Sequence, residues 1–212
     1  MRLWSHSWAN GEPIPERFAK ACLGRDGLVH PGQNLSPALR WTGVPAETRS
    51  LALLCIDLDA AAGAAGADVA DGELPAELPR SEFFHWVLID LTPHLSTLAE
   101  GAGSRGLARH GPAGPAAPHG GRHGVNDFGA RCAGAARSAD QHLGYDGPLP
   151  PANDALVHHC VFALYALALE RLPLEGAFGG AQVREQMAEL VLASATHSGT
   201  YTLNRRLRHL PP

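Results

Sequence analysis

Three apolar runs, each too short for a core helix and each closed by turn-forming or acidic residues, set the strongest constraint on this chain. They are Ser50–Ile56, Phe83–Leu91 and Val157–Leu169. The first ends at Asp57-Leu58-Asp59. The third is preceded by Pro148, Pro150 and Pro151 and followed by Pro173. Runs of this length with such boundaries read as buried strands. Residues 1–50 carry a glycine or proline every few positions and leave room only for short strands. Val183, Met187, Leu190 and Val191 recur at helical spacing, so Ala181–His197 is the expected helix, ended by Gly199 and followed by a strand at Thr200–Leu203. The expected fold class is mostly β with antiparallel pairing and one late helix.

The 212 residues fit one domain, 1–212, with loop insertions at about 61–80, 95–123 and 130–143. A net charge of -4 argues against a nucleic-acid partner. No run reaches the roughly 18 apolar residues of a membrane span, and the N-terminus lacks a signal-peptide pattern. Cytoplasmic residence is therefore the expectation. Cys22, Cys55, Cys132 and Cys160 are far apart, without a CxxC pair. They suit neither a zinc motif nor a disulfide framework; Cys55 and Cys160 read as small buried hydrophobes. His110, His119 and His123 lack metal-ligand spacing, and no cofactor motif is present.

Three polar segments interrupt this apolar pattern. Alternation along a strand places His85 with Phe83, Val87 and Ile89, His158 with Cys160, Phe162 and Leu164, and Asp57 and Asp59 with Cys55 and Leu53. A histidine within an apolar face must be hydrogen-bonded, either to a backbone carbonyl or to a ligand. The two aspartates either cap the next turn or line a pocket. Gly147-Pro148-Leu149-Pro150-Pro151 is a stiff loop able to hold a wall.

In this order the segments resemble the phosphatidylethanolamine-binding protein family, in its bacterial and archaeal Raf kinase inhibitor-like branch. The matching stretches are Asn34–Trp41, Ser50 into Asp57-Leu58-Asp59-Ala60, Phe84-His85-Trp86, Gly124–Gly129, Gly144–Pro151, and His158 with Phe162 and Tyr165-Ala166-Leu167. The resemblance implies a β-sandwich with a central antiparallel sheet and few peripheral helices. It also implies a pocket for phosphate or a phosphoryl head group, as in phospholipid binding. Carried over by position, the ligand-binding residues are Asp57, Asp59, His85, Gly147, Pro148, Pro151 and His158. The chain departs from the family pattern at Leu58 and Ala61, where prolines are usual, at His159 in place of arginine, at Cys160 in place of tyrosine, and at Leu190 in place of histidine.

The function implied is non-enzymatic binding of a phosphorylated or anionic small molecule, with a kinase or protease as protein partner and a homodimer as the oligomer considered. Two other functions fit the residues. One is a hydrolase with His85 or His158 as general base oriented by Asp57. The other is an interaction module working through the insertions, with a vestigial pocket.

Overall fold

The computed structural model describes residues 1–62, 72–104, 116–132 and 142–209. Residues 63–71, 105–115 and 133–141 of the three expected insertions, His110 among them, lie outside that set.

The expected runs are strands, and two are longer than their apolar segments. They are β5 (Ser50–Ala61), β6 (Arg80–Leu91) and β9 (His158–Leu167). With β8 (Arg122–His123) and β10 (Val191–Tyr201) they form one antiparallel sheet, ordered β10-β9-β5-β6-β8. A second sheet, β1-β4-β7, comprises Arg2–Trp4, Leu39–Thr42 and Thr97–Leu98. Strands β2 (Ala21–Leu23) and β3 (Val29–Pro31) make a separate ribbon.

The central sheet is buried on both faces, which is why its strands read as unbroken apolar runs rather than alternating ones. One face packs Leu51, Leu53, Cys55, Trp86, Leu88 and Phe162 against Leu39, Trp41 and Leu98 of the second sheet. The other packs Leu54, Ile56, Phe84, Val87 and Ile89 against Phe178, Val183 and Met187. Val183 and Met187 belong to helix α2 (Gly180–Met187); a shorter helix, α1 (Asp127–Cys132), lies earlier in the chain.

The expected helix Ala181–His197 is half right. After Met187 and one 3-10 turn, the chain runs as β10 from Val191. The i, i+4 spacing of the apolar residues ends with Met187. From Ala193 onward the sequence alternates strictly, with Ser194, Thr196, Ser198 and Thr200 on one side and Ala195, His197, Gly199 and Tyr201 on the other. That period of two lets β10 pair with β9 along its length, and His197 and Tyr201 are buried. The ladder decides the conformation over helix propensity.

A β-bulge also changes the expected faces of β6. Cys55 pairs with Trp86 and Ile56 with Phe84, leaving His85 as the extra residue. Val87 and Ile89 therefore join the helix-side core, whereas His85 turns toward Asp57 and the loop at Asp146.

Trp86 donates its indole N–H to Nδ1 of buried His123, at 3.4 Å. An indole only donates, so His123 must stay neutral. Burial pushes its pKa down to about 4, against a smaller upward effect of the Val87 backbone. A histidine whose folded pKa lies below its unfolded value stabilises fully above about pH 6.5 and loses that contribution as pH falls toward 4. The full loss is on the order of 3 kcal/mol. His123→Asn retains an acceptor for Trp86, so unfolding free energy between pH 6.5 and 4 should fall less steeply than in wild type. Parallel slopes would contradict the assignment.

Candidate functional site

The carboxyl end of β5, the bulge of β6 and the start of β9 meet in the sheet. The register places Asp57 opposite both Phe83 and Cys160. A cleft of about 50 Å³ opens there. Its lining includes Asp57, Ala61, Phe83, His85, Phe128, Leu149, Pro150, Pro151 and His158. That volume suits a few waters or one small tetrahedral group.

Asp57 and His158 open a buried ionic chain. His158 Nδ1 meets Asp57 Oδ2 at 2.6 Å and its Nε2 meets Asp154 Oδ2 at 3.0 Å. Asp154, fully buried, is held from its other side by Arg80 through two bonds of 2.6 and 3.0 Å. Carboxylates only accept, so both His158 nitrogens carry protons and the ring is an imidazolium. Burial pushes the Asp57 carboxyl up, but the His158 imidazolium outweighs it and holds the acid well below the usual carboxylate range. Burial likewise opposes charge on His158, while Asp57 and Asp154 raise its pKa above the ordinary value. The chain balances two carboxylates with one imidazolium and one guanidinium. His158 has no nitrogen left to offer a ligand.

His85 differs. Its Nδ1 donates to the Asp146 carbonyl at 2.7 Å, and the Asp146 N–H returns a bond to the His85 carbonyl at 3.0 Å. With Nδ1–H on that carbonyl, a ring holding a single proton presents a lone pair at Nε2. That atom is buried without a hydrogen-bond partner, 3.9 Å from Asp57 Oδ2. Phe83 and Phe128 flank the ring, with centroids at 5.0 and 5.5 Å.

Asp146 fixes the loop that holds His85. Its carboxylate accepts from Lys20 at 2.7 Å, His142 at 2.8 Å, Asn34 at 3.0 Å and Asn126 at 3.1 Å. Burial raises its pKa less than these partners, Lys20 foremost, lower it. Lys20, the only lysine, also lies 4.2 Å above the Phe128 ring.

Among the residues expected at the site, Asp57, His85, Pro151 and His158 line the cleft. Asp59, Gly147 and Pro148 do not. Asp59 accepts from the His159 backbone and ring, both at 2.8 Å, and its own N–H donates to Asp57 Oδ1 at 2.8 Å. Gly147 donates to Asn34 Oδ1, and the Pro148 carbonyl accepts from Lys20 N–H. These residues position the walls. Sequence reasoning missed Asp154, Arg80, Asp146 and Lys20 as site residues. Asp154 four residues before His158 was one legible hint and Asp146 beside Gly147 another; Arg80 and Lys20 come from distant segments.

Sheet and cleft together define the class: a mostly β protein whose acid- and imidazole-lined cleft opens at one end of a central antiparallel sheet. The chain belongs to the phosphatidylethanolamine-binding protein family, whose model matches residues 4–202. It is 30% identical over 202 residues to the UPF0098 protein YbhB of Escherichia coli K12, covering 95% of this chain and 100% of that one. It is 32% identical over 201 residues to a UPF0098 protein of Methanothermobacter thermautotrophicus, covering 95% and 98%. The crystal structure of Escherichia coli YbcL, described as a new member of the mammalian PEBP family, superposes with a TM-score of 0.65 at 25% identity, covering 95% and 97% of the two chains. A homologue from Chlamydia trachomatis, described as a PEBP homolog, gives 0.61 at 26% identity, covering 94% and 95%. No helix among the described residues is long and apolar enough to cross a membrane.

Proposed function

We propose that this chain is a non-enzymatic binding protein whose cleft takes a small phosphorylated or otherwise anionic ligand by sharing a proton with it. One observation carries the reading. Asp57 Oδ2 and His85 Nε2 face each other in the cleft, and in the neutral ring both are acceptors. A fully ionised anion would meet only repulsion there, because the ionic chain beside it is already balanced. A phosphoryl group that keeps one proton donates it to an acceptor and binds with a charge-assisted hydrogen bond. The family's name, and the YbcL likeness, support this ligand class. A phosphorylated side chain of a kinase or protease partner presents the same chemistry and would enter the same cleft. The hydrolase reading draws nothing from His158, whose nitrogens are both held by carboxylates.

The second pKa of a phosphate ester lies near 6, so binding at higher pH must take up a proton. Calorimetric titration with inorganic phosphate and O-phosphorylethanolamine at pH 6 and pH 8 tests this. Affinity for O-phosphorylethanolamine should be at least about tenfold weaker at pH 8, and that for inorganic phosphate, whose second pKa is higher, should weaken by a smaller factor. Equal affinities at the two pH values, or no saturable heat at millimolar ligand, would overturn the proposal.

A further inference from the structure

We propose that Asp57, His85 and Cys160 form a three-ligand site for a zinc-type divalent metal, with its fourth position open to the cleft. One ligand atom from each lies within 4.8 Å of the other two, and all three residues are buried. They come from three neighbouring strands. Asp57 on β5 stands opposite Cys160 on β9, and His85 is the bulged residue of β6 on the other side of β5. The sheet thus holds the set together without any ligand present.

The donors suit the ion. Imidazole, carboxylate and thiolate in one small cluster select zinc or a close analogue over the hard cations. His85 has the outer-shell arrangement of a metal ligand, with Nδ1–H on a backbone carbonyl and Nε2 buried and unpartnered. Asp57 Oδ2 keeps lone pairs beyond the one used by His158. Ligand atoms around tetrahedral zinc lie roughly 3.3–3.6 Å apart, given bonds of about 2.0 to 2.3 Å. The triad therefore has to close by about an ångström, within the reach of side-chain torsions.

Cys160 is buried, and a cysteine carries S–H at neutral pH unless its surroundings lower its pKa. Metal binding replaces the S–H bond with a metal–sulfur bond, and the proton leaves to solvent. This reaction needs no oxidant or reductant. Cys160, where the family resemblance places a tyrosine, supplies the sulfur.

The inference stands apart from the anion reading, and its test uses phosphate-free buffer. Apoprotein is titrated with Co²⁺ and then with Zn²⁺. One equivalent of Co²⁺ should bind with a sulfur-to-cobalt charge-transfer absorption, release one proton, and be displaced by Zn²⁺. Cys160→Val keeps an apolar residue in the strand and should abolish the absorption. His85→Ala should weaken Co²⁺ at least tenfold, and Cys22→Ser should change nothing. Absence of saturable Co²⁺ binding would overturn the site, as would a thiolate absorption that survives in Cys160→Val. The phosphate titrations, run with a chelator present, fail or succeed independently.

Discussion

Asp154→Ala is expected to destabilise the protein by about 3–5 kcal/mol, the range for removing one partner of a buried ion pair. Asp154 is fully buried and takes two bonds from Arg80, one from His158 and one from the Leu156 N–H. Without it, His158 can shed its Nε2 proton, but Arg80 cannot. The guanidinium then keeps only the Asp59 and Pro75 carbonyls, at 2.9 and 2.8 Å. For a chain of this size the loss corresponds to a fall in Tm on the order of 10 °C. The double variant Arg80→Met/Asp154→Leu should recover much of it, since removing both charges lifts the desolvation penalty. Denaturant unfolding of the three variants decides the matter. A loss under about 1 kcal/mol for Asp154→Ala would mean that water reaches Arg80 and that the chain is not buried as described. Asp57 and Asp154 are both held below the ordinary carboxylate range, so the contribution is present above about pH 4 and lost as pH falls further.

Gly147→Ala should have an effect of similar size and should also disturb the cleft. A Cβ at this position would lie 2.0 Å from the Phe18 carbonyl oxygen and 2.9 Å from the Ala19 Cα. Both are backbone atoms, so no side chain can turn away. The Tyr145 hydroxyl bonded to the Phe18 carbonyl and the Lys20 N–H bonded to the Pro148 carbonyl hold the two segments together. Relief requires the loop to move, at a cost of roughly 3 kcal/mol or somewhat more. Asp146 precedes Gly147 and holds His85 through its backbone, so the imidazole should shift as well. Ring resonances of His85 that move in Gly147→Ala, with those of His197 unchanged, would bear this out. A variant with wild-type stability and an unmoved His85 would show that the loop yields freely.

The three apolar runs were legible as strands because their boundaries are local: prolines, glycines and the Asp57-Leu58-Asp59 stop. The C-terminal strand was misread because the helical spacing that is real up to Met187 extends by chance to Leu190 and Val191. The alternation from Ala193 to Tyr201 is the competing signal, and pairing with β9 gives it priority. Of the site, Asp57, His85 and His158 could be read because each interrupts an apolar face. The orientation of His85 could not, since a bulge depends on how two strands register. Nor could the pairing of Arg80 with Asp154, or of Lys20 with Asp146, because those partners lie 74 and 126 positions apart and meet only when the sheet is closed.

We propose that the cleft beside His85 binds a phosphoryl group. Histidine-resolved NMR of the chelated protein at pH 6, titrated with O-phosphorylethanolamine, tests it most directly. Saturable shifts of the His85 ring, unmoved resonances of His123 and His197, and loss of binding in His85→Ala are expected. Shifts that are absent at millimolar ligand, or that persist elsewhere in His85→Ala, would contradict it.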